Sequence, residues 1–249
     1  MIIRELVHLR ELNLIRTVPC YSMDLDGVNE YIEAPINAAF DLDRFAPMSF
    51  EVWVKFVGFD VVDHLISKYQ AGKGLAFSVF GGSELRFDLQ FNGNTNLITK
   101  YSTAAGITTG IWYHLAATYD GSSLASGVKM YKNGVEVAYG LTIDALSSSI
   151  LNLQTVKIGA FPAAGFYSEE LFNKARWWDV ELTAGEILTQ YNSGKVLTTP
   201  VQAASLILDT DINNSTWNGA EYDIPDLTGI TAGYQTVNAE EADRIEDCP

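Results

Sequence analysis

The amino-acid sequence predicts an all-β protein, an antiparallel sandwich with one short helix. Three observations support this prediction. Apolar and polar residues alternate along many short segments, which is the period of a strand that buries one face. Turn-forming residues separate these segments at short intervals. A helical pattern occurs in one place only, so the regular alternation of helices and strands that marks a parallel α/β fold is missing.

The clearest strands are MSFEVWVKF (residues 48–56) and ELRFDLQF (residues 84–91). Every second residue of the first segment is apolar. In the second segment Phe87 and Leu89 belong to the apolar set, so we expect them in the core. Further strands are expected at VVDHLISKY (61–69), LAFSVF (75–80), NLITKYS (96–102), IWYHLAATYD (111–120), GVKMYKNGVEVA (127–138) and TVKIGA (155–160).

Two turns have the chemistry of tight hairpins. Asn133-Gly134 lies between two alternating segments, and both residue types tolerate the positive φ of such a turn. The segment YSMDLDGVNEYIEAP (21–35) also alternates on both sides of its Asp-Gly pair and is typical of a hairpin. Its cluster of polar groups exceeds what a turn needs; the cluster is Asp24, Asp26, Asn29 and Glu30.

The helix is predicted within ELTAGEILTQYNSG (181–194). Thr183 stands at the N-cap with Glu186 three residues later, which is the spacing of a capping box. Gly194 is the expected C-terminal stop. The side chains predicted to face the sandwich are Leu182, Ile187, Leu188 and Tyr191.

Composition limits the classes of partner. The 249 residues are 47% hydrophobic and carry 16 basic against 31 acidic side chains, a formal charge of −15. This charge disfavours nucleic acids and anionic membranes, and no apolar run is long enough to span a bilayer. The N-terminal residues lack the pattern of a secretory signal. Cys20 and Cys248 are expected to be two lone thiols, although they would pair if the chain ends meet.

Five motifs, in order, resemble the laminin-G-like, concanavalin A-like jelly rolls over roughly residues 20–195. The motifs are MDLDGVNEYIEAP, MSFEVWVKF, IWYHLAATYDG with VKMYKNGVEVA, VKIGA, and FNKARWWDVELTAGEILTQYNSG. The resemblance implies two curved antiparallel sheets, a concave face used for binding, and in many members a calcium ion at the rim. It also suggests three regions: an N-terminal arm (1–19), the jelly-roll domain (20–196), and a C-terminal extension (197–249) that docks on the domain or on a neighbour.

The glycan-binding members of this family direct attention to one strand. Because Phe87 and Leu89 are expected in the core, Arg86, Asp88 and Gln90 project from the opposite face, where planar polar groups can meet sugar hydroxyls. The plainer interpretation is a solvated sheet face. A related hypothesis is an aromatic platform for a sugar ring at Trp53 and Trp112, for which core packing is the simpler expectation.

A calcium site is a second hypothesis. Asp26, Asn29 and Glu30 would supply oxygen ligands of the kind that Ca²⁺ prefers, and Asn173 lies at the late strand where the family usually has an acidic pair. Lys174 replaces the second acid of that pair, and its ammonium group would repel a cation.

The resemblance also makes catalysis a hypothesis, because the family includes glucanases. The spacing of paired carboxylates occurs at Glu241, Asp243 and Glu246, but no alternating apolar residues place these groups on a sheet. Since no coherent catalytic set is present, we expect a noncatalytic protein.

The C-terminal sequence changes character after about Pro200. Its segments YDIPDLTG (222–229) and TVNAEEADRIEDCP (236–249), which follow the laminin-G-like region, resemble segments of bacteriophage virion proteins. We therefore expect a lectin-like structural or adhesion protein of a phage particle, made in the host cytoplasm, as a capsid decoration, fibre or tail component. Its partners would be other virion proteins, further copies of itself, or cell-surface glycans. The leader, which would place Leu6, Leu9 and Leu12 on one side of a helix, is a candidate docking arm. The alternatives are a secreted-type carbohydrate-binding module and a glycoside hydrolase of the concanavalin A-like fold.

Overall fold

Short antiparallel strands make up most of the computed structural model, which describes residues 20–92, 95–161 and 165–249. In chain order the strands are β1 (Ser22–Asp24), β2 (Tyr31–Ala34), β3 (Met48–Phe56), β4 (Val62–Gln70), β5 (Lys73–Phe80), β6 (Glu84–Gln90), β7 (Leu97–Ser102), β8 (Trp112–Tyr119), β9 (Val128–Lys132), β10 (Val135–Glu136), β11 (Tyr139–Asp144), β12 (Val156–Ile158), β13 (Ala160–Phe161), β14 (Phe166–Tyr167), β15 (Glu170–Trp178), β16 (Leu206–Asp209), β17 (Thr216–Trp217), β18 (Tyr222–Ile224), β19 (Tyr234–Val237) and β20 (Arg244–Ile245).

These strands form two large sheets. The first has eight strands in the order β10-β9-β8-β3-β15-β1-β20, with β16 also paired to β15. The second has ten strands in the order β11-β7-β6-β5-β4-β12-β2-β19-β18-β17, and β13 pairs with β14 in a separate two-stranded ribbon. All pairings are antiparallel across the described residues. The predicted antiparallel jelly-roll sandwich is confirmed.

The inner faces of the two sheets enclose the core, as the alternation predicts. Phe50 of β3 and Phe87 of β6 are fully buried, with their ring centroids 6.1 Å apart. Trp177 of β15 packs 4.8 Å from Phe50. Each such side chain stabilises the fold by about 1.5–3 kcal/mol relative to an exposed position.

The outer face of the eight-stranded sheet is covered, which the alternation does not predict. Glu51, Trp53 and His114 project away from the core, yet each is at most 1% exposed. They lie in a second layer with helix α1 (Ala184–Tyr191), where Gln190 donates to Glu51 Oε1 over 3.0 Å. Arg176 donates to the same oxygen over 2.9 Å. Strand β3 is therefore buried on both faces.

The two candidate tryptophan platforms have different environments. Trp53 is buried in this second layer, 5.3 Å from the His114 ring and 6.0 Å from the Tyr191 ring. Trp112 is half-buried, and its Nε1 donates to Asp247 over 3.0 Å. Trp53 therefore packs as expected, although beneath the helix instead of between the sheets.

Helix α1 is the single α-helix among the described residues and begins with the predicted capping box. Thr183 Oγ1 accepts from the Glu186 N–H over 3.3 Å, and Glu186 Oε2 accepts from the Thr183 N–H over 2.8 Å. The helix ends at Asn192 in the left-handed conformation, with φ of 47°, before the predicted stop. The prediction for Leu188 is wrong, because this side chain lies on the outward side and is 55% exposed. No helix in the described part of the chain is both long and apolar enough to cross a membrane.

The predicted hairpin at Asn133-Gly134 is confirmed, since β9 pairs with β10 around it. The hairpin expected at Asp26-Gly27 is wrong. Strand β1 belongs to the eight-stranded sheet and β2 to the ten-stranded sheet, so the turn carries the chain from one layer of the sandwich to the other. Asp-Gly chemistry specifies a local reversal, and the partners of the flanking strands are set by distant residues.

The segment after residue 197 packs on the sandwich and adds strands to both sheets. Leu208 is fully buried, Tyr234 is 1% exposed, and both belong to the main core. The boundary near 197 stays a prediction, and the arm predicted at residues 1–19 lies outside the described residues.

The expectation of two lone thiols is wrong. Cys20 and Cys248 form a disulfide with a Cα–Cα distance of 5.9 Å. Pairing of β20 with β1 brings the chain ends together, and Asn173 donates to the carbonyl of Tyr21 over 2.7 Å beside them. A spacing of 228 residues hides this proximity from the sequence.

Removing the disulfide should lower stability. A cross-link across 228 residues restricts the unfolded chain strongly, so the double variant Cys20→Ser/Cys248→Ser is expected to lose about 4 kcal/mol of unfolding free energy. Thermal unfolding of the wild type, with and without dithiothreitol, measures the same effect. The double variant provides the control, since dithiothreitol should leave its midpoint unchanged. An equal midpoint for oxidised and reduced wild type would contradict the expectation.

Candidate functional site

One row of paired residues crosses all ten strands of the second sheet on its outer face. Phe87 and Leu89 point into the core, so Asp88 and the residues directly opposite it point outward. The row runs Ile143, Thr99, Asp88, Ala76, Ser67, Lys157, Glu33, Gln235, Asp223 and Thr216. Ten strands at their usual spacing span about 43 Å. We call this set the outer row.

The three predicted ligand-binding residues lie together on this face. Arg86 Nε is 2.5 Å from Asp88 Oδ2, and Thr99 Oγ1 donates to Asp88 Oδ1 over 2.5 Å. Gln90 Oε1 accepts from the Tyr69 hydroxyl over 2.8 Å. Asp88 and Gln90 are buried at 4% and 8% exposure, whereas Arg86 is half-buried. Their direct contact with a ligand stays a prediction, and the geometry favours Arg86 as the accessible member.

Burial determines the charge state of this cluster. It raises the pKa of Asp88, although the Arg86 guanidinium acts in the opposite direction. Burial also lowers the pKa of His64 to about 3, with Arg86 as a second cause. His64 is therefore neutral at pH 7, and its ring stacks 4.6 Å from the Phe161 ring.

A small cavity of about 290 Å³ adjoins the cluster. We call it the tyrosine pocket, because the Tyr69 and Phe161 rings lie 4.4 Å apart at its wall. Gln154 and Lys157 supply polar groups. Aromatic rings beside planar amides and charged groups suit a ligand with both apolar and polar faces.

A larger cavity of about 830 Å³ lies farther along the outer row. We call it the C-terminal groove, since strands β17–β19 form most of its walls. Its lining consists of Glu33, Pro35, Thr216, Glu221, Asp223, Ile224, Pro225, Ala232, Gly233, Tyr234, Gln235, Thr236 and Val237. Gln235 and Asp223 are exposed, and the Gln235 amide donates to Asp223 Oδ1 over 2.9 Å.

Lys157 and Glu33 lie between the two cavities. The Lys157 ammonium is 3.3 Å from Glu33 Oε1, and Thr155 donates to the same oxygen. Lys157 lines the tyrosine pocket and Glu33 lines the C-terminal groove. The two cavities are therefore neighbours on one continuous face.

The sequence predicted the functional residues at the β6 end of this face, and it did not predict those on the strands farther along the sheet. The register of β12, β2, β19 and β18 supplies Lys157, Glu33, Gln235 and Asp223, but these strands are only three or four residues long. Such segments are too short to show alternation.

The proposed calcium residues do not converge on a shared site. Asp26 Oδ1 accepts from the backbone of Val28 and Asn29 over 2.8 and 3.2 Å, and Glu30 Oε2 accepts from the Asp26 N–H over 2.8 Å. Asn173 instead contacts Tyr21 and the disulfide. The Asp26 and Glu30 oxygens therefore accept hydrogen bonds from the backbone of their own loop, and Asn173 lies elsewhere. The four residues do not form a calcium shell, and calcium binding stays a prediction. Within the described ranges no three His, Cys, Asp or Glu side chains form a metal-binding group.

The carboxylate pattern near the C-terminus lies away from both cavities. Glu241 and Asp243 form a short turn, where the Asp243 side chain accepts from the Glu240 N–H. Glu246 is exposed three residues from the chain end. None of these residues lines the tyrosine pocket or the C-terminal groove.

Residues 26–188 match the family model described as the concanavalin A-like lectin/glucanases superfamily. The chain belongs to this superfamily. The match ends before strands β16–β20, so the concanavalin A-like region includes the tyrosine pocket and excludes most of the C-terminal groove. No match was found among curated proteins.

Solved concanavalin A-like structures share the fold at low identity. A candidate carbohydrate binding protein from Bacteroides ovatus is 18% identical with a TM-score of 0.59; the match covers 90% of this chain and 61% of that protein. The heptameric SAP-like pentraxin of Limulus polyphemus is 16% identical, with a TM-score of 0.54 and coverages of 91% and 98%. The CBM40 of Ruminococcus gnavus IT-sialidase, solved with α2,3 sialyllactose, is 12% identical, with a TM-score of 0.50 and coverages of 68% and 95%.

A pair of buried acids lies outside both cavities of this concanavalin A-like protein. Asp63 and Glu170 are fully buried, and Asp63 Oδ2 and both Glu170 carboxyl oxygens accept no hydrogen bond from any described residue. Burial, reinforced by the Asp63 charge, raises the pKa of Glu170 to about 9. Burial also raises the pKa of Asp63 to about 6. Glu170 therefore carries a proton at pH 7.

The wild-type protein should lose stability as the pH rises. The pKa of Glu170 is higher in the folded chain, at about 9, than its ordinary value of 4.5. Its stabilising contribution is complete below pH 4.5 and disappears as the pH approaches about 9. Glu170→Gln mimics the protonated acid, so chemical denaturation at a series of pH values should show a decline smaller by roughly 2–4 kcal/mol.

Glu246→Gln removes an exposed carboxylate and is the matched control for this experiment. Its unfolding free energy should follow the wild type at every pH. Parallel curves for wild type and Glu170→Gln would show that Glu170 is ionised in the folded state.

Proposed function

We propose that this protein is a noncatalytic, lectin-like carbohydrate-binding protein that holds a glycan on the outer face of its ten-stranded sheet. The observation that carries the proposal is the outer row, whose residues line both the tyrosine pocket and the C-terminal groove. On the eight-stranded sheet, helix α1 covers the outward-facing Glu51, Trp53 and His114. A cavity beside Lys174 and Arg176 on that sheet has a volume of about 260 Å³, well below that of the C-terminal groove.

The chemistry of this face suits a sugar. Carboxylate, amide and ammonium groups form directional hydrogen bonds with ring hydroxyls, and Gln154, Lys157 and Gln235 supply such groups near the two cavities. The Tyr69 and Phe161 rings supply apolar area for the C–H face of a pyranose. A ligand of several sugar units would be needed to reach from one cavity to the other.

The similar structures support the same class of ligand. The R. gnavus CBM40 was solved with sialyllactose, and the B. ovatus protein is described as a candidate for carbohydrate binding. The present chain spans 61% of the length of the B. ovatus protein. At these identities the likeness concerns the fold, so the ligand is proposed from the face itself.

A glycoside hydrolase is the alternative within the superfamily, and the acids on this face favour binding. Glycosidases need two carboxyl groups free to act across one bond, about 5–9 Å apart. Asp88 is paired with Arg86 and Thr99, and Glu33 with Lys157 and Thr155. Asp88 and Glu33 are therefore held in ion pairs, and the remaining acids, Asp223 and Glu221, are held by hydrogen bonds from Gln235 and Thr236.

Glycan-array screening followed by calorimetry tests the proposal. Wild type should bind at least one oligosaccharide. Tyr69→Ala should weaken that binding by about tenfold, because it removes the ring at the wall of the tyrosine pocket. Tyr69→Phe is the matched control and should retain most of the affinity, since it keeps the ring. Absence of any glycan hit would refute the proposal, and release of reducing sugar from the bound glycan would refute its noncatalytic part.

We further propose that the protein acts at the surface of an assembly, as a component of a phage virion bound to other virion proteins or to copies of itself. The C-terminal resemblance to virion proteins favours this role. The Cys20–Cys248 disulfide also suits a virion surface, where disulfides persist outside the reducing cytoplasm.

Size-exclusion chromatography with light scattering tests assembly. The full chain should elute as a homo-oligomer, and a chain beginning at Cys20 should elute as a monomer if the leader is the docking arm. Circular dichroism of both chains controls for folding. A full chain that is monomeric at every concentration would contradict self-assembly.

A further inference from the structure

The C-terminal groove has an uneven distribution of charge. Its lining includes three carboxylates, Glu33, Glu221 and Asp223, and none of the described residues that line it is Lys or Arg. Among the described residues, the cation that pairs with a groove acid is Lys157, which lies on the strand next to β2 and contacts Glu33. Lys157 therefore offsets one of the three negative charges.

The other two carboxylates have neutral partners. Asp223 Oδ1 accepts from Gln235 over 2.9 Å and from Asn218 over 3.2 Å. Glu221 accepts from the Thr236 hydroxyl over 2.9 Å and from the Asn238 N–H over 2.8 Å. These bonds orient both groups without neutralising them. No described cation lies within ion-pair distance of either residue.

The groove is also amphipathic. Pro35, Ile224, Pro225 and Val237 supply apolar lining beside the carboxylates and the Gln235 amide. A volume of about 830 Å³ lies in the range of small-molecule sites. A ligand that suits this lining has an apolar body, hydroxyl groups and a positive charge.

We propose that the C-terminal groove selects saccharides that carry protonated amino groups, binds their neutral counterparts more weakly, and excludes anionic glycans. This inference rests on the proposed carbohydrate-binding function and specifies its ligand class. An ammonium group placed on the sugar ring reaches Asp223 or Glu221 while the ring packs on the apolar lining. A carboxylated or sulfated glycan meets two uncompensated negative charges in the same place.

A metal ion is the other ligand that carboxylates attract. The three groove acids do not form a metal-binding group in the part of the chain that the structure describes. Hydrogen bonds from Asn218, Gln235, Thr236 and Asn238 hold the Asp223 and Glu221 carboxylates in fixed places. This arrangement favours an organic cation over an inorganic one.

A matched ligand pair tests the inference by calorimetry on the full chain. Glucosamine tetrasaccharide and its N-acetylated form differ in charge and acetylation. Near pH 6 the amino form should bind about three- to tenfold more tightly, and this preference should disappear near pH 9, where a sugar amine is neutral. Sialyllactose should show no binding, and chelator should change nothing.

Two variants test whether the preference for the amino sugar arises in the C-terminal groove. Asp223→Asn should reduce the binding of the amino sugar roughly threefold and leave that of the N-acetylated sugar unchanged. Asp144→Asn, an exposed acid at the far edge of the same sheet, should change neither. Circular dichroism verifies that both variants fold.

The outcomes separate the two proposals. Equal binding of the amino and N-acetylated sugars, or tight binding of sialyllactose, overturns the charge selection and leaves the carbohydrate-binding function intact. If a chelator weakens binding of the amino sugar, a metal ion is the cation that the groove acids hold, and the inference is overturned. Absence of binding to every glycan overturns both proposals together.

Discussion

The register of the ten-stranded sheet is the constraint on which the rest of the structure depends. Side chains alternate between the two faces of each strand, so the pairing that buries Phe87 against Phe50 also sends Asp88 outward. The same parity passes from strand to strand as far as Gln235 and Asp223. A slip of one residue would bring carboxylates into the core. The same strand register therefore fixes both the core and the polar face.

The outer faces of the two sheets differ in how far the chain itself covers them. In the eight-stranded sheet, Arg176 donates to Glu51, Asp209 and the Leu197 carbonyl over 2.7–3.0 Å beneath α1 and the segment that follows it. Buried charges are tolerated only when they are paired in this manner. His114 also contacts Glu51, at 2.9 Å. This face is covered by its own chain, whereas the outer row is buried at Thr99, Asp88, Ala76 and Ser67 and becomes exposed at Gln235 and Asp223.

Period-two alternation was sufficient to predict the long strands, the inner core and the faces of β3 and β6, and the Thr183–Glu186 spacing was sufficient for the start of the helix. Other features depend on contacts that no local pattern encodes. The Cys20–Cys248 pair joins residues 228 positions apart. The turn at Asp26-Gly27 changes sheets because of strands that come much later. Burial of Asp88 depends on Arg86, Thr99 and the surrounding sheet. Local chemistry therefore predicted where the chain is extended or turns, and tertiary pairing decided what each side chain meets.

The two cavities are built from different parts of the chain. The tyrosine pocket belongs to residues 67–161, within the region that defines the superfamily. Most of the C-terminal groove comes from residues 216–237, which join the sheet through pairing of β19 with β2. Loss of that pairing would remove Gln235 and Asp223 and leave Tyr69 and Phe161 in place. Strands added at a sheet edge can therefore extend its polar face, because the existing register continues onto them while their inward side chains, such as Ile224 and Tyr234, join the core.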